Sequence, residues 1–294
     1  MSESSTPSPN ASAAASVPRG EAPRVIVIRP QKGWVGIDFG ELWHYRELLF
    51  FLIWRDVKVR YKQTVLGAAW AILVPVLTMI VFTIIFGRFV GLSARIQMPY
   101  PLFLYAALVP WTFFAAAVSQ SGVCLVNQAS LLTKIYFPRL FIPAASVGTA
   151  VVDFALSFAV YVCMMIGYWR APGASIALLP VLVLLTVAAA LGTGFLLASV
   201  TVVYRDIRYV VPFLMQIWMY GCPVVYSVGM VPERWRWVMS LNPMFGIIAA
   251  FRGALLNEPV NWPELGISSS VAVGIFLVGL FNFRRMERRF ADIA

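Results

Sequence analysis

The sequence predicts an all-α membrane protein: six transmembrane helices, an amphipathic interface helix before them, and re-entrant or interfacial helices between spans five and six. Three observations lead there. Charged residues make up 12% of the chain against 60% hydrophobic, with a mean hydropathy of +0.80, whereas soluble globular domains carry about 25% charged residues. Residues 65–86 contain no charge; at about 1.5 Å per residue they make a helix of about 33 Å, enough to cross the hydrocarbon core. The basic residues are split among short segments between the apolar runs, which is how membrane topology distributes them.

Taken in order, residues 1–23 are rich in Ser, Ala and Pro and lack the apolar centre of a signal peptide, so a disordered cytosolic tail is expected. Residues 24–63 read as a lead-in and an interface helix. Within it Glu41, His44, Glu47, Arg55, Lys58 and Lys62 recur at helical spacing on one face, with Leu42, Leu49, Phe50, Ile53 and Val57 opposite. A helix so divided is expected to lie in the membrane surface. Trp54 lies in the same run, while Arg46, Asp56 and Arg60 break the pattern. The arginines are expected to snorkel, and Asp56 to pair with Arg60 at i+4 or with a partner subunit.

The six-span domain occupies residues 64–294, with spans near 65–87, 100–126, 144–169, 175–204, 209–227 and 265–283. Pro110 is expected to kink the second, and Gly194 with Ala198 gives the fourth a small-residue face for close packing. Pro212, Gly221 and Pro223 predict a kinked or broken fifth span. Between spans five and six, residues 244–256 are too short to cross and carry Arg252, so they read as interfacial or re-entrant. With the N-terminus cytosolic, Arg46, Arg55, Lys58, Arg60, Lys62, Lys134, Arg139, Arg205, Arg208 and the C-terminal arginines are inside. Only Arg88, Arg95, Arg170, Arg234, Arg236 and Arg252 are outside. Both termini are therefore expected in the cytosol.

No catalytic or metal constellation is legible. His44 is the sole histidine, no lysine follows a glycine so a phosphate-binding P-loop is excluded, and Cys124, Cys163 and Cys222 lie apart in apolar runs. The net charge of +10 forms no single patch, so nucleic acid is not an expected partner. Asp153 is the one acid well inside a span. It reads as a functional candidate for a proton or ion path, or as a group hydrogen-bonded to a neighbouring helix.

At this point the chain resembles a known family. The run WRDVKVRYKQTVLGAAWAILVPVLTMIVFTIIFG, PWTFF at 110–114, the loop from Asn127 through LLTK and YFPR to Pro143, and YRDI at 204–207 occur in the order found in permease subunits of ABC-2-type polysaccharide exporters. That family exports O-antigen, capsular polysaccharide and teichoic acid. The resemblance covers everything after the Ser/Ala/Pro tail.

The resemblance implies a bacterial inner-membrane exporter in which two copies of the chain form a channel for a polyprenyl-diphosphate-linked polysaccharide. Two separate ATP-binding cassette subunits hold the ATP and Mg, and this chain binds no cofactor of its own. By this likeness Asn127, Leu132, Thr133, Lys134, Tyr136, Phe137, Pro138 and Arg139 form a coupling helix, with Tyr136, Phe137 and Pro138 as an apolar plug and Lys134 and Arg139 pairing with acidic rims. The helix bearing Trp54, Arg55, Asp56, Lys58 and Arg60 moves with the ATPase, and a gate lies between the first and fifth spans. Trp111, Phe113, Phe114, Trp218, Tyr220 and Tyr226 are channel aromatics on which sugars slide, or members of an ordinary aromatic belt. Arg55, Arg60, Arg205 and Arg208 are candidates for the diphosphate, though they also serve the positive-inside pattern. Rival readings are an ABC-2 exporter of a small lipid or drug and a membrane-embedded glycosyl or prenyl transferase. The transferase needs clustered acids or a metal site, which Asp56, Asp206 and Glu287 do not form in sequence. A neighbouring gene for an ATPase separates exporter from enzyme.

Overall fold

The computed structural model describes residues 39–62, 67, 69–128, 137–171 and 173–287. Helix follows helix: α1 (Phe39–His44), α2 (Arg46–Lys62), α3 (Ala69–Phe82), α4 (Tyr100–Asn127), α5 (Phe141–Gly167), α6 (Leu179–Val203), α7 (Ile207–Tyr220), α8 (Glu233–Met239), α9 (Pro243–Leu256) and α10 (Trp262–Glu287). Among the described residues there is no strand.

Five helical stretches are long and apolar enough to cross a bilayer: Ala69–Phe89, Tyr100–Asn127, Phe141–Gly167, Ser175–Val203 and Trp262–Glu287. The second is the hub. Of its most apolar stretch 78% is buried within the chain, against 11% for the first. A charge-free helix surrounded by other helices can be apolar on every side, and α4 is so filled, from Leu102 to Leu125.

Small residues set the closest crossing. A side-chain carbon on Gly192 of α6 would stand 2.5 Å from the Phe276 backbone of α10, so only glycine lets these backbones approach so closely. Gly194 lies on the face of α6 turned to Ser121 of α4.

The expected fifth span at 209–227 comes out differently. Its helix, α7, stops at Tyr220, so at about 1.5 Å per residue it is about 21 Å long, short of a bilayer core. Residues 221–227 then turn, and α8 and α9 follow as a pair bent by 110° that, counted as one span, is a sixth able to cross. Gly221 and Pro223 supply the break. The buried Arg252 of α9 stabilises it: its guanidinium donates to the carbonyls of Pro223 (2.8 Å), Val224 (3.1 Å) and Tyr226 (3.2 Å) and stacks 3.6 Å from the Phe103 ring. Peptide carbonyls that no helix satisfies thus find a charged donor. The Asn242 side chain, accepting from Trp218 Nε1 and donating to the Gly221 carbonyl, fastens the same joint to α9.

Candidate functional site at the α2, α4 and α5 cluster

The interface helix is where the structure most revises the expectation from periodicity. α2 packs against α5 and reaches the side chains at the end of α4. Arg55 Nη2 donates to Gln128 Oε1 at the end of α4 (3.0 Å), whereas Arg60 Nη2 donates to Gln120 Oε1, two turns further along. Leu48, Leu49, Leu52 and Ile53 pack inward, while Phe50, Phe51, Trp54 and Val59 are exposed beside Lys58. The charged and apolar sides are therefore mixed, because Asp153, Gln120 and Gln128 give inward-facing arginines partners that sequence spacing does not reveal.

Asp153 is the centre of that set. Its Oδ2 accepts from Arg60 Nη1 at 2.5 Å and its Oδ1 from the Tyr61 hydroxyl. Asp153 is thus hydrogen-bonded to a neighbouring helix, and a second ionisable group does stand at its depth. Asp56 does not pair with Arg60 as expected; it accepts from the adjacent Arg55, at 2.9 Å and 2.7 Å. Neighbours in sequence need no fold to meet, and Arg60 is drawn to the acid on α5 instead. Burial first, then the hydrogen bond and charge of Asp153, push the Tyr61 phenol above its ordinary value of 10, so it remains a proton donor.

Of the expected coupling segment, Leu132, Thr133, Lys134 and Tyr136 lie outside the described residues. Asn127 ends α4, exposed. Phe137 and Pro138 are not an outward plug: both are buried, and Phe137, 6% exposed, belongs to a cluster with Leu52, Leu125, Phe141, Phe195 and Phe283. Arg139 is held within the chain, its backbone N–H donating to Glu287 Oε1 (3.2 Å) and its Nη1 to the Glu287 carbonyl (2.7 Å). Arg284 Nη1 stands 3.7 Å from the same carboxylate. These three residues root the segment in α2, α4, α5, α6 and α10, because a Phe and a Pro beside an apolar cleft gain more from burial than from water.

The aromatic candidates divide as well. Trp111, Phe113 and Phe114 are 4%, 3% and 0% exposed, interlocked with Phe154 and Trp218, and so are core residues of the single chain instead of a lining. Tyr220 is exposed; Trp218 and Tyr226 are half-buried. Arg55 and Arg60 are engaged as described, while Arg205 and Arg208 are exposed, Arg208 lying 4.6 Å over the Tyr209 ring. Sequence reasoning missed Arg252, Asn242, Gln120 and Gln128 as structural partners. Two glutamines at i and i+8 near the end of a charge-free span were the available signal.

Among the described residues no group of His, Cys, Asp and Glu is placed to hold a metal. Residues 47–256 match the family model described as ABC-2 type transporter. The O-antigen export system permease protein RfbA of Myxococcus xanthus is 30% identical over 254 residues, covering 84% of this chain and 96% of its own length. Its namesake from Klebsiella pneumoniae is 28% identical over 249 residues, 84% of this chain and 95% of the relative. The polysialic acid transport protein KpsM of Escherichia coli is 22% identical over 246 residues, 80% and 92% respectively.

Proposed function

The chain belongs to the ABC-2 type transporter family, and we propose that it is the permease subunit of an ATP-driven exporter that carries a polyprenyl-diphosphate-linked polysaccharide out of the cytosol of a bacterium. The observation that carries this reading is the near full-length match to relatives named as O-antigen and polysialic acid transport permeases. The absence of a P-loop in the sequence calls for energy from outside the chain. We assign that role to two ATPase subunits bearing ATP and Mg, seated under two copies of this chain in the inner membrane with all termini cytosolic.

In this reading the ATPases push on the segment of residues 127–136. Its root passes the push on: Phe137 presses on Leu52 of α2 and Phe283 of α10, and Arg139 pulls on Glu287. The Arg60–Asp153 pair makes α2 move with α5. Of α3 only Pro75 is buried and of α7 only Val211 and Met215, so both leave apolar faces uncovered, which supports placing the channel and its gate between them and a second copy. Tyr220, Tyr226 and Trp218 remain its candidate aromatics, and Arg205 and Arg208 the diphosphate contacts, since Arg55 and Arg60 are already paired. Deleting the gene in its host should abolish the surface polysaccharide and leave lipid-linked glycan inside the cell. A deletion strain with unchanged surface glycan would refute the assignment.

A further inference from the structure

Between α2, α4 and α5 lies a cleft of about 590 Å³, lined by Asp56, Arg60, Gln120, Asn127 and Gln128 among others. We propose that it binds hydroxyl groups of the cargo's sugars; the proposal rests on the export reading above. The polar atoms already engaged decide what the cleft can take. A guanidinium has donors only, so the oxygens of Gln120 and Gln128 must face Arg60 and Arg55, which fixes each amide NH2 away from them. Asp56 takes both Arg55 donors on Oδ1, leaving Oδ2 without a protein partner among the described residues.

Beside the Arg60 guanidinium and the Asn127 amide, the lining thus offers the amide NH2 groups of Gln120 and Gln128 as donors and the Asp56 carboxylate as acceptor. A free phosphate would meet the carboxylate, and a metal cation would meet amide N–H groups and guanidiniums. An apolar molecule would leave the amide donors and the carboxylate unpaired. A sugar hydroxyl both donates and accepts, so it satisfies a mixed set of this kind. The volume lies in the range of about 300–1,000 Å³ typical of small-molecule sites, enough for a short stretch of sugars.

The test uses the complete exporter, this chain with its ATPase partner, in lipid nanodiscs. The readout is ATPase stimulation by polyprenyl-linked glycan extracted from the host, and separately by polyprenyl diphosphate without sugar. Gln128→Glu keeps the acceptor for Arg55 and removes the donor; Val123→Trp adds bulk to the lining of the cleft without replacing a polar residue. Each should raise the half-saturating concentration of the glycan-bearing lipid about tenfold, the size of one lost hydrogen bond with its partner left unpaired. The bare lipid should act as on the unaltered protein. Unshifted half-saturation in both variants, or an equal shift with the bare lipid, overturns the sugar site and leaves the export reading standing. Failure of the glycan-bearing lipid to stimulate the unaltered exporter overturns both.

Discussion

Arg252→Ala would strip the donors from the joint that follows α7. Three carbonyls, those of Pro223, Val224 and Tyr226, accept from this one guanidinium, which is 2% exposed. Taking only about 1 kcal/mol for each orphaned carbonyl gives a local loss of about 3 kcal/mol, before any loss of stacking on Phe103. At about 1.4 kcal/mol per decade this raises the open fraction of residues 221–227 about a hundredfold. Cys222, 0% exposed within that turn, reports the opening. In a Cys163→Ser background, which removes the exposed thiol, maleimide labelling of Cys222 should accelerate by about that factor, with buried Cys124 unchanged as an internal reference. Arg252→Lys, a point donor in place of a fork, should fall between. Labelling of Cys222 within about threefold of the unaltered protein would refute the keystone role of Arg252.

Asp153→Asn removes the charge opposite Arg60 while preserving shape; hydrogen exchange of α2 around residues 55–62 should speed up about tenfold or more, the effect of losing about 1.5 kcal/mol of a charge-assisted bond. The raised Tyr61 phenol contributes stability that is complete below pH 10 and lost as pH climbs from there through its folded value, so exchange protection of α2 attributable to Tyr61 should be flat from neutrality to pH 10 and fall above it. Phe137→Ala should lower the amount of folded protein, as a buried Phe to Ala change costs about 3–5 kcal/mol. Arg139→Gln should leave abundance and ATPase activity near normal while export falls. Gly192→Ala should drive α6 from α10 at Phe276 and reduce membrane abundance, read by immunoblot.

Composition and charge-free runs were enough for the long spans, because a bilayer imposes length and apolarity on each segment separately. The break after Tyr220 was legible in Gly221 and Pro223, but its shape was not: that depends on Arg252, which hydropathy treats only as an interruption. Periodicity marked Arg60 only as a break in the pattern of α2, to be resolved by snorkelling, whereas it points inward. Its reason is Asp153, 93 positions later, and no local pattern connects the two. Trp111, Phe113 and Phe114 looked like a channel wall for a related reason. An aromatic run says that a helix face is large and apolar, and the packing of α4 against its neighbours decides whether rings meet one another or cargo. Phe137 and Arg139 were legible as a unit, yet their partners, Phe283 and Glu287, lie at the far end of the chain.

In the function proposed, this chain moves lipid-linked polysaccharide only when an ATPase drives it. Proteoliposomes loaded with the host's polyprenyl-linked glycan, containing the chain with or without its ATPase partner, test it through protection of the glycan from an added glycosidase. With the partner and Mg-ATP, glycan should cross and become protected in time; with the chain alone, or with the partner and no ATP, it should stay accessible. Protection acquired by the chain alone, or none with the full set, would contradict the account.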